Sequence, residues 1–163
     1  RSTLMNYAPP LRSWINKKYL TEKTISQLRA IFSSSQPFPH LELPAFFNTE
    51  KLFPLLQALG EETFILKEAD LFQFRQTADL VGTKNRVLQE FRSFLFSPEF
   101  VSYLSTLTGI ALQPKKIDMS GTIYQDTDYL LCHDDQLEGR KVAYIIYLSD
   151  LEPTEGGGLV FYN

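Results

Sequence analysis

Apolar residues recur at helical spacing through the first two thirds of the chain and at alternating or consecutive positions in the last third. Leu11-Arg-Ser-Trp-Ile15 follows Pro9-Pro10 and predicts a short helix with Pro10 near its first position. Thr21 caps a predicted helix whose stripe is Ile25, Leu28, Ile31 and Phe32, ended by Ser33-Ser-Ser-Gln-Pro37. His40-Leu-Glu-Leu43 alternates and predicts a strand. Asn48 or Thr49 then caps a helix carrying Leu52, Phe53, Leu55, Leu56 and Leu59, closed by Gly60. Residues 63–66 and 71–74 are strand-like. Residues 84–96 and 98–107 read as two helices divided at Ser97-Pro98, where the proline stops the first and opens the second. From Lys116 onward the character is β, with strands predicted at 117–125, 129–133, 142–148 and 159–162. Helices first and strands later make an α+β domain in which helices buttress a β core.

Composition narrows this picture. A chain of 163 residues suits one domain, and its 44% apolar and 21% charged content is ordinary for a globular protein. The net charge of -3, with no basic cluster beyond Lys115-Lys116, gives no electrostatic footprint for nucleic acid, and none is expected as a partner. No apolar run reaches membrane-spanning length and no signal peptide is visible, so no membrane partner is expected. The single cysteine, Cys132, excludes an internal disulfide and fits a reducing compartment; it is expected to be a small buried hydrophobe beside a strand. Thirteen Phe and eight Tyr predict a densely aromatic core. The chain starts at Arg1, not Met, so further residues are expected upstream.

The candidate chemistry lies at His133-Asp134-Asp135. If Tyr129-Leu-Leu-Cys-His133 is a strand, its period of 2 puts His133 and Asp135 on one face and Cys132 and Asp134 on the other. An imidazole and a carboxylate at that spacing supply two members of the facial triad that holds non-haem Fe(II) with positions left open. The same three residues also read as a plain polar turn at a strand end. The context favours the metal: a polar connection to Gly139, an Arg140-led β run to Leu148, a loop with Pro153, Gly156-Gly-Gly158 and a last β run. On the 142–148 run Tyr147 shares a face with Ala143 and Ile145, and a phenol among apolar neighbours needs a polar partner.

In this order the strand, H-x-D, turn, Arg-led strand and Gly-Gly strand resemble the double-stranded β-helix (jelly-roll) core of Fe(II)- and 2-oxoglutarate-dependent dioxygenases, in their prolyl hydroxylase branch. Tyr129-Leu-Leu-Cys-His-Asp-Asp-Gln-Leu-Glu-Gly-Arg140 is similar to the metal-strand signature of the subgroup acting on a proline of a small-subunit ribosomal protein. Asp70-Leu-Phe-Gln-Phe-Arg-Gln-Thr-Ala-Asp-Leu80 resembles a segment preceding that core, and Pro37-Phe-Pro-His40 with Pro44-Ala-Phe-Phe47 resembles its N-terminal approach. The resemblance implies a single catalytic domain over 1–163, with 1–110 as mainly helical support and 111–163 as the first jelly-roll strands. It implies Fe(II) on His133 and Asp135, with 2-oxoglutarate and O2 as co-substrates and ascorbate in support. Tyr147 then binds the distal carboxylate of 2-oxoglutarate, Tyr124 is a second tyrosine of that pocket, Leu131 and Leu159 are its apolar walls, and Arg140 is structural or near the substrate channel. Core packing accounts for Leu131 and Leu159 nearly as well. A cytoplasmic location, or a nuclear one in a eukaryote, is the expectation.

The pattern departs from the family in one respect. A second histidine and a following basic residue are needed, yet no histidine follows His133 and no arginine follows Arg140. His40, beside prolines, is expected to be a capped or surface residue and only remotely a rescuing ligand. The core is thus expected to be incomplete at the C-terminus, its missing members lying in a longer polypeptide, and these 163 residues alone are expected to be inactive and poorly behaved. Competing readings are a dioxygenase of free proline or another peptide, a catalytically silent jelly-roll interaction module, and a cupin-type isomerase or small-molecule binder.

Overall fold

The computed structural model describes residues 8–113, 117–134, 138–150, 152 and 154–162. Five helices and a small antiparallel sheet follow one another as α1 Pro9–Trp14, α2 Glu22–Ser34, α3 Thr49–Gly60, β1 Phe64–Ala69, β2 Phe72–Thr77, α4 Arg86–Leu95, α5 Pro98–Thr108, β3 Thr122–Ile123 and β4 Tyr129–Leu130. Single 3-10 turns lie at Lys17–Tyr19 and Leu80–Gly82.

Local chemistry sets most of these boundaries. The Thr21 hydroxyl accepts from Thr24 N at the start of α2, and the Asn85 side chain accepts from Val87 N and Leu88 N at the start of α4. Between α4 and α5 the Ser97 hydroxyl donates to Phe94 O at 2.6 Å and accepts from Phe100 N at 3.2 Å, so one side chain ends one helix and begins the next. Gly109, at φ 75°, closes α5 in the left-handed conformation that glycine adopts without a Cβ clash. Asn48 precedes α3 as expected, but its amide does not cap the helix: it donates to Arg12 O and Ser13 O at 3.0 and 2.8 Å. With Asn48 N on Trp14 O and Asn16 N on Phe46 O, it ties α1 to the segment entering α3.

The core lies among the helices. Leu11, Ile15, Leu20, Leu88, Leu95 and Tyr103 are its most deeply buried large side chains. Trp14 stacks on Phe94 and tilts against Phe91, Phe47 meets Phe91 edge-on, and Phe100 packs against Phe94 and Tyr103. This is the aromatic core the composition predicts, confined to the helical side. The buried Tyr103 hydroxyl donates to Tyr19 O at 3.0 Å, so its polar tip is satisfied.

The sheet is built on β2. Its full length pairs with β1, from Phe64 opposite Thr77 to Ala69 opposite Phe72. On its other side it pairs with β3 (Arg75 opposite Ile123, Gln76 opposite Thr122) and with β4 (Phe72 opposite Leu130, Gln73 opposite Tyr129), all antiparallel. Beyond the ladder, Leu80 N donates to Met119 O, Thr77 N to Gly121 O and Leu131 N to Leu71 O. The chain from Met119 to Leu131 therefore runs the length of β2. Buried Thr77 closes the upper end, its hydroxyl accepting from Gly121 N and donating to Ala78 O.

The mixed helix-and-sheet class agrees with the sequence reading, while several strands do not form. Residues 40–43, 142–148 and 159–162 are not strands, and the predicted strands 117–125 and 129–133 shrink to the two-residue β3 and β4. β propensity states only that a side chain suits a pleated surface; a strand also needs a neighbour for its N–H and C=O groups. Of the later predicted strands, β2 supplies that neighbour only to β3 and β4 among the described residues. The alternation in 142–148 survives without a ladder: Ile146 and Leu148 pack toward the helical core, whereas Ala143, Ile145 and Tyr147 are exposed. A double-stranded β-helix is not seen among the described residues.

Candidate metal and co-substrate site

β4 delivers the candidate metal residue His133 to the edge of the sheet. The last ladder-type bond is Leu131 N to Leu71 O at 2.8 Å, and two residues later the His133 Nδ1 lies 2.8 Å from Leu131 O. A ring whose Nδ1–H donates to a backbone carbonyl is held in one tautomer, with Nε2 as its basic nitrogen, the arrangement that orients a metal-ligating histidine. His133 and Asp134 are exposed, and Asp135 lies outside the described residues. No cluster of three or more His, Cys, Asp or Glu side chains is assembled among the described residues. Cys132 is exposed rather than buried, which corrects the expectation for it: it follows the last laddered residue and has moved beyond the sheet's apolar cover.

The two candidate co-substrate tyrosines lie near enough for one to act electrostatically on the other. Tyr124 leaves β3 and lays its ring against Phe74, centroids 5.3 Å apart, and Phe74 in turn meets Phe72. Partial burial raises the Tyr124 hydroxyl above its ordinary pKa, and the nearby Tyr147 phenol and Asp128 carboxylate push in the same direction. Tyr147 reaches this position from the outward face of 142–148 and is half exposed. Leu131, Leu159 and Arg140 are exposed, so the two leucines do not form a closed wall here. His40 belongs elsewhere: its Nδ1 lies 2.8 Å from Phe38 O and its ring meets Phe38 and Phe161 edge-on. It is capped, as its neighbouring prolines suggest.

One feature of the site has no counterpart in the sequence reading. Asp128 gathers Gln73, Arg75 and the backbone of Gln125, and Asp126-Thr-Asp128 is the turn chemistry that could have marked it. Its partners on β2 lie more than fifty residues away in sequence.

Residues 119–163 match the family model of the 2OG-Fe(II) oxygenase superfamily. Over 139 residues, 84% of this chain and 27% of the relative, the sequence is 38% identical to prolyl 3-hydroxylase OGFOD1 of Xenopus laevis. It is 40% identical to the mouse protein of that name over 82% of this chain and 25% of the relative. Against prolyl 3,4-dihydroxylase OGFOD1 of Ostreococcus tauri it is 35% identical, over 77% of this chain and 27% of the relative. The chain thus spans about a quarter of the length of the curated relatives it matches. The H-x-D residues and the β3–β4 run lie inside the matched segment, so over residues 119–163 the chain is similar to the 2OG-Fe(II) oxygenase superfamily, and over most of its length it is similar to one part of these prolyl hydroxylases.

Proposed function

We propose that the chain is part of an Fe(II)- and 2-oxoglutarate-dependent dioxygenase that hydroxylates a prolyl residue, with a small-subunit ribosomal protein as the substrate. The observation that carries this reading is His133, held by Leu131 O at the end of the strand paired to β2, two residues before Asp135 and within the matched segment. The donor set suits Fe(II): an imidazole oriented by Leu131 O and a carboxylate would leave coordination positions for a third protein ligand, co-substrate and oxygen. Bound there with its co-substrates, the metal supplies the oxidising power for an unactivated C–H bond.

The protein's own contribution is placement. The bond from Nδ1 to Leu131 O aims the imidazole, and the β2 ladder holds that carbonyl still. Tyr147 donates its phenol to the distal carboxylate of 2-oxoglutarate, with Tyr124 beside it as a second donor backed by Phe74. Leu131 and Leu159 become the pocket's apolar walls, and Arg140 lies near the channel to the prolyl substrate. The domain organisation that goes with this has 1–110 as helical support and 111–163 as the first strands of a jelly roll, completed by a histidine and a basic residue from outside this span. Ascorbate keeps the metal reduced, and the location is cytoplasmic or nuclear.

The test uses the complete protein with Fe(II), 2-oxoglutarate and proline-containing peptides from ribosomal proteins. Succinate formed in step with a one-oxygen mass gain on a prolyl residue supports the proposal. Succinate without that gain on any such peptide would redirect the substrate, and no turnover would refute the reading.

A further inference from the structure

β3 and β4 are one strand interrupted. Both run antiparallel to β2, Ile123 opposite Arg75 and Tyr129 opposite Gln73, so the single residue Phe74 stands opposite residues 124–128. That surplus chain is folded into a tight excursion between two stretches of regular pairing, a large form of the two-against-one mismatch of a β-bulge. The excursion is closed on itself by Asp128 N to Gln125 O at 3.0 Å and by Gln125 N to Asp128 Oδ2 at 2.8 Å. Thr127 turns through φ 72°, the left-handed region that a β-branched residue occupies at a cost.

One carboxylate fastens the excursion to the sheet. Asp128 Oδ1 accepts from Gln73 Nε2 at 3.0 Å, and Oδ2 lies 3.6 Å from an Arg75 guanidinium nitrogen. The Asp128 side chain is 2% exposed and Gln73 and Arg75 share one face of β2, flanking Phe74. These bonds to the charged form hold the carboxyl below its usual range, the backbone donor from Gln125 contributing most and the Gln73 amide next.

We infer that Asp128, clamped by Gln73 and Arg75, is a positioning residue that fixes the register in which β4 carries His133 out of the sheet. β4 itself is two residues long and bears exposed side chains, so its own pairing specifies register weakly. With side-chain period 2, one residue taken up or released by the excursion would turn His133 to the opposite face. Asp128 is the fixed point immediately before β4.

The inference rests on the reading of His133 and Asp135 as metal ligands, and its test separates the two. In the complete protein, Mn(II) affinity is measured for Asp128→Ala, Gln73→Glu, the paired swap Gln73→Glu with Asp128→Asn, and His133→Ala. Amide exchange at residues 129–131 is followed alongside. Asp128→Ala is expected to weaken Mn(II) binding about 10–100-fold, the range for lost supporting contacts at a metal site, and to speed exchange at 129–131. Gln73→Glu sets two carboxylates against each other and should do the same, while the swap restores a donor–acceptor pair and brings affinity back toward wild type. A folded Asp128→Ala variant with wild-type Mn(II) affinity, while His133→Ala loses the metal, overturns the inference alone. If Asp128→Ala fails to fold, the Gln73→Glu and swap pair decides: no loss in the first, or no recovery in the second, overturns it. Wild-type Mn(II) binding by His133→Ala overturns the metal reading and this inference with it.

Discussion

Gly121 brings the metal-bearing segment close against Leu59 of α3, and replacing it with alanine tests whether that contact holds the strand in place. A Cβ built on Gly121 would lie 2.5 Å from Leu59 Cδ1 and 3.1 Å from Leu59 Cγ and Cδ2, against α3. The backbone there is not left-handed, so an alanine is conformationally allowed and the cost is steric. Overpacking of this kind costs about 1–3 kcal/mol, and the reduced freedom of the unfolded chain returns about 0.4–1 kcal/mol. A net destabilisation of about 1–2 kcal/mol follows, with a fall in melting temperature of roughly 2–8 °C. The strain falls on two bonds, Thr77 N to Gly121 O and Gly121 N to the Thr77 hydroxyl, so their amides should exchange faster in Gly121→Ala. Leu59→Ala removes all three opposing atoms, and in combination with Gly121→Ala should recover most of the loss, a coupling of about 1 kcal/mol or more. Unchanged melting and exchange in Gly121→Ala, or strictly additive effects with Leu59→Ala, would refute the close-packed contact.

Three further outcomes are expected. Tyr147→Phe should raise the apparent KM for 2-oxoglutarate in the complete protein, since a charge-assisted hydrogen bond contributes about 1.5–3 kcal/mol; an unchanged co-substrate titration would make Tyr147 an ordinary surface tyrosine. The lowered carboxyl of Asp128 favours the folded state wherever it is ionised, so its contribution is complete above the ordinary value of 3.8 and is lost as pH falls below it. Denaturation followed down to about pH 3 should show a shallower acid loss in Asp128→Asn than in wild type, and identical acid limbs would exclude the clamp from acid stability. Burial raises the Tyr144 phenol, so folding favours its neutral form; stability should hold below about pH 10 and decline above it, and Tyr144→Phe should flatten that limb.

The helical half was legible because its signals are local. Thr21, the Ser97-Pro98 junction and the stripe through Ile25 and Leu28 each specify a boundary or a face within a few residues, and α2, α4 and α5 lie where these place them. The 64–77 hairpin was legible from two apolar runs with a polar break between them. The later β runs were not, because Ile145, Val160 and their neighbours encode a pleated surface but not the partner that would pair with it. Cys132 was misjudged for a related reason: its burial depends on how far the ladder extends past Leu131, which composition does not record. His133 and Asp135 stood out because their spacing is itself the chemistry. The Asp128 clamp did not, because Gln73 and Arg75 reach it only after β2 and the 119–131 segment have paired.

The central claim is that His133 and Asp135 hold the metal, and a Mn(II) titration of the complete protein tests it most directly, followed by the loss of the free-ion signal in electron paramagnetic resonance. His133→Ala and Asp135→Ala should each weaken binding by about 100-fold or more, beyond the 10–100-fold typical of supporting residues. Asp134→Ala, which removes the carboxylate between the two ligand residues but neither ligand, should bind as wild type. Wild-type affinity in either His133→Ala or Asp135→Ala, with the fold intact, would contradict the account.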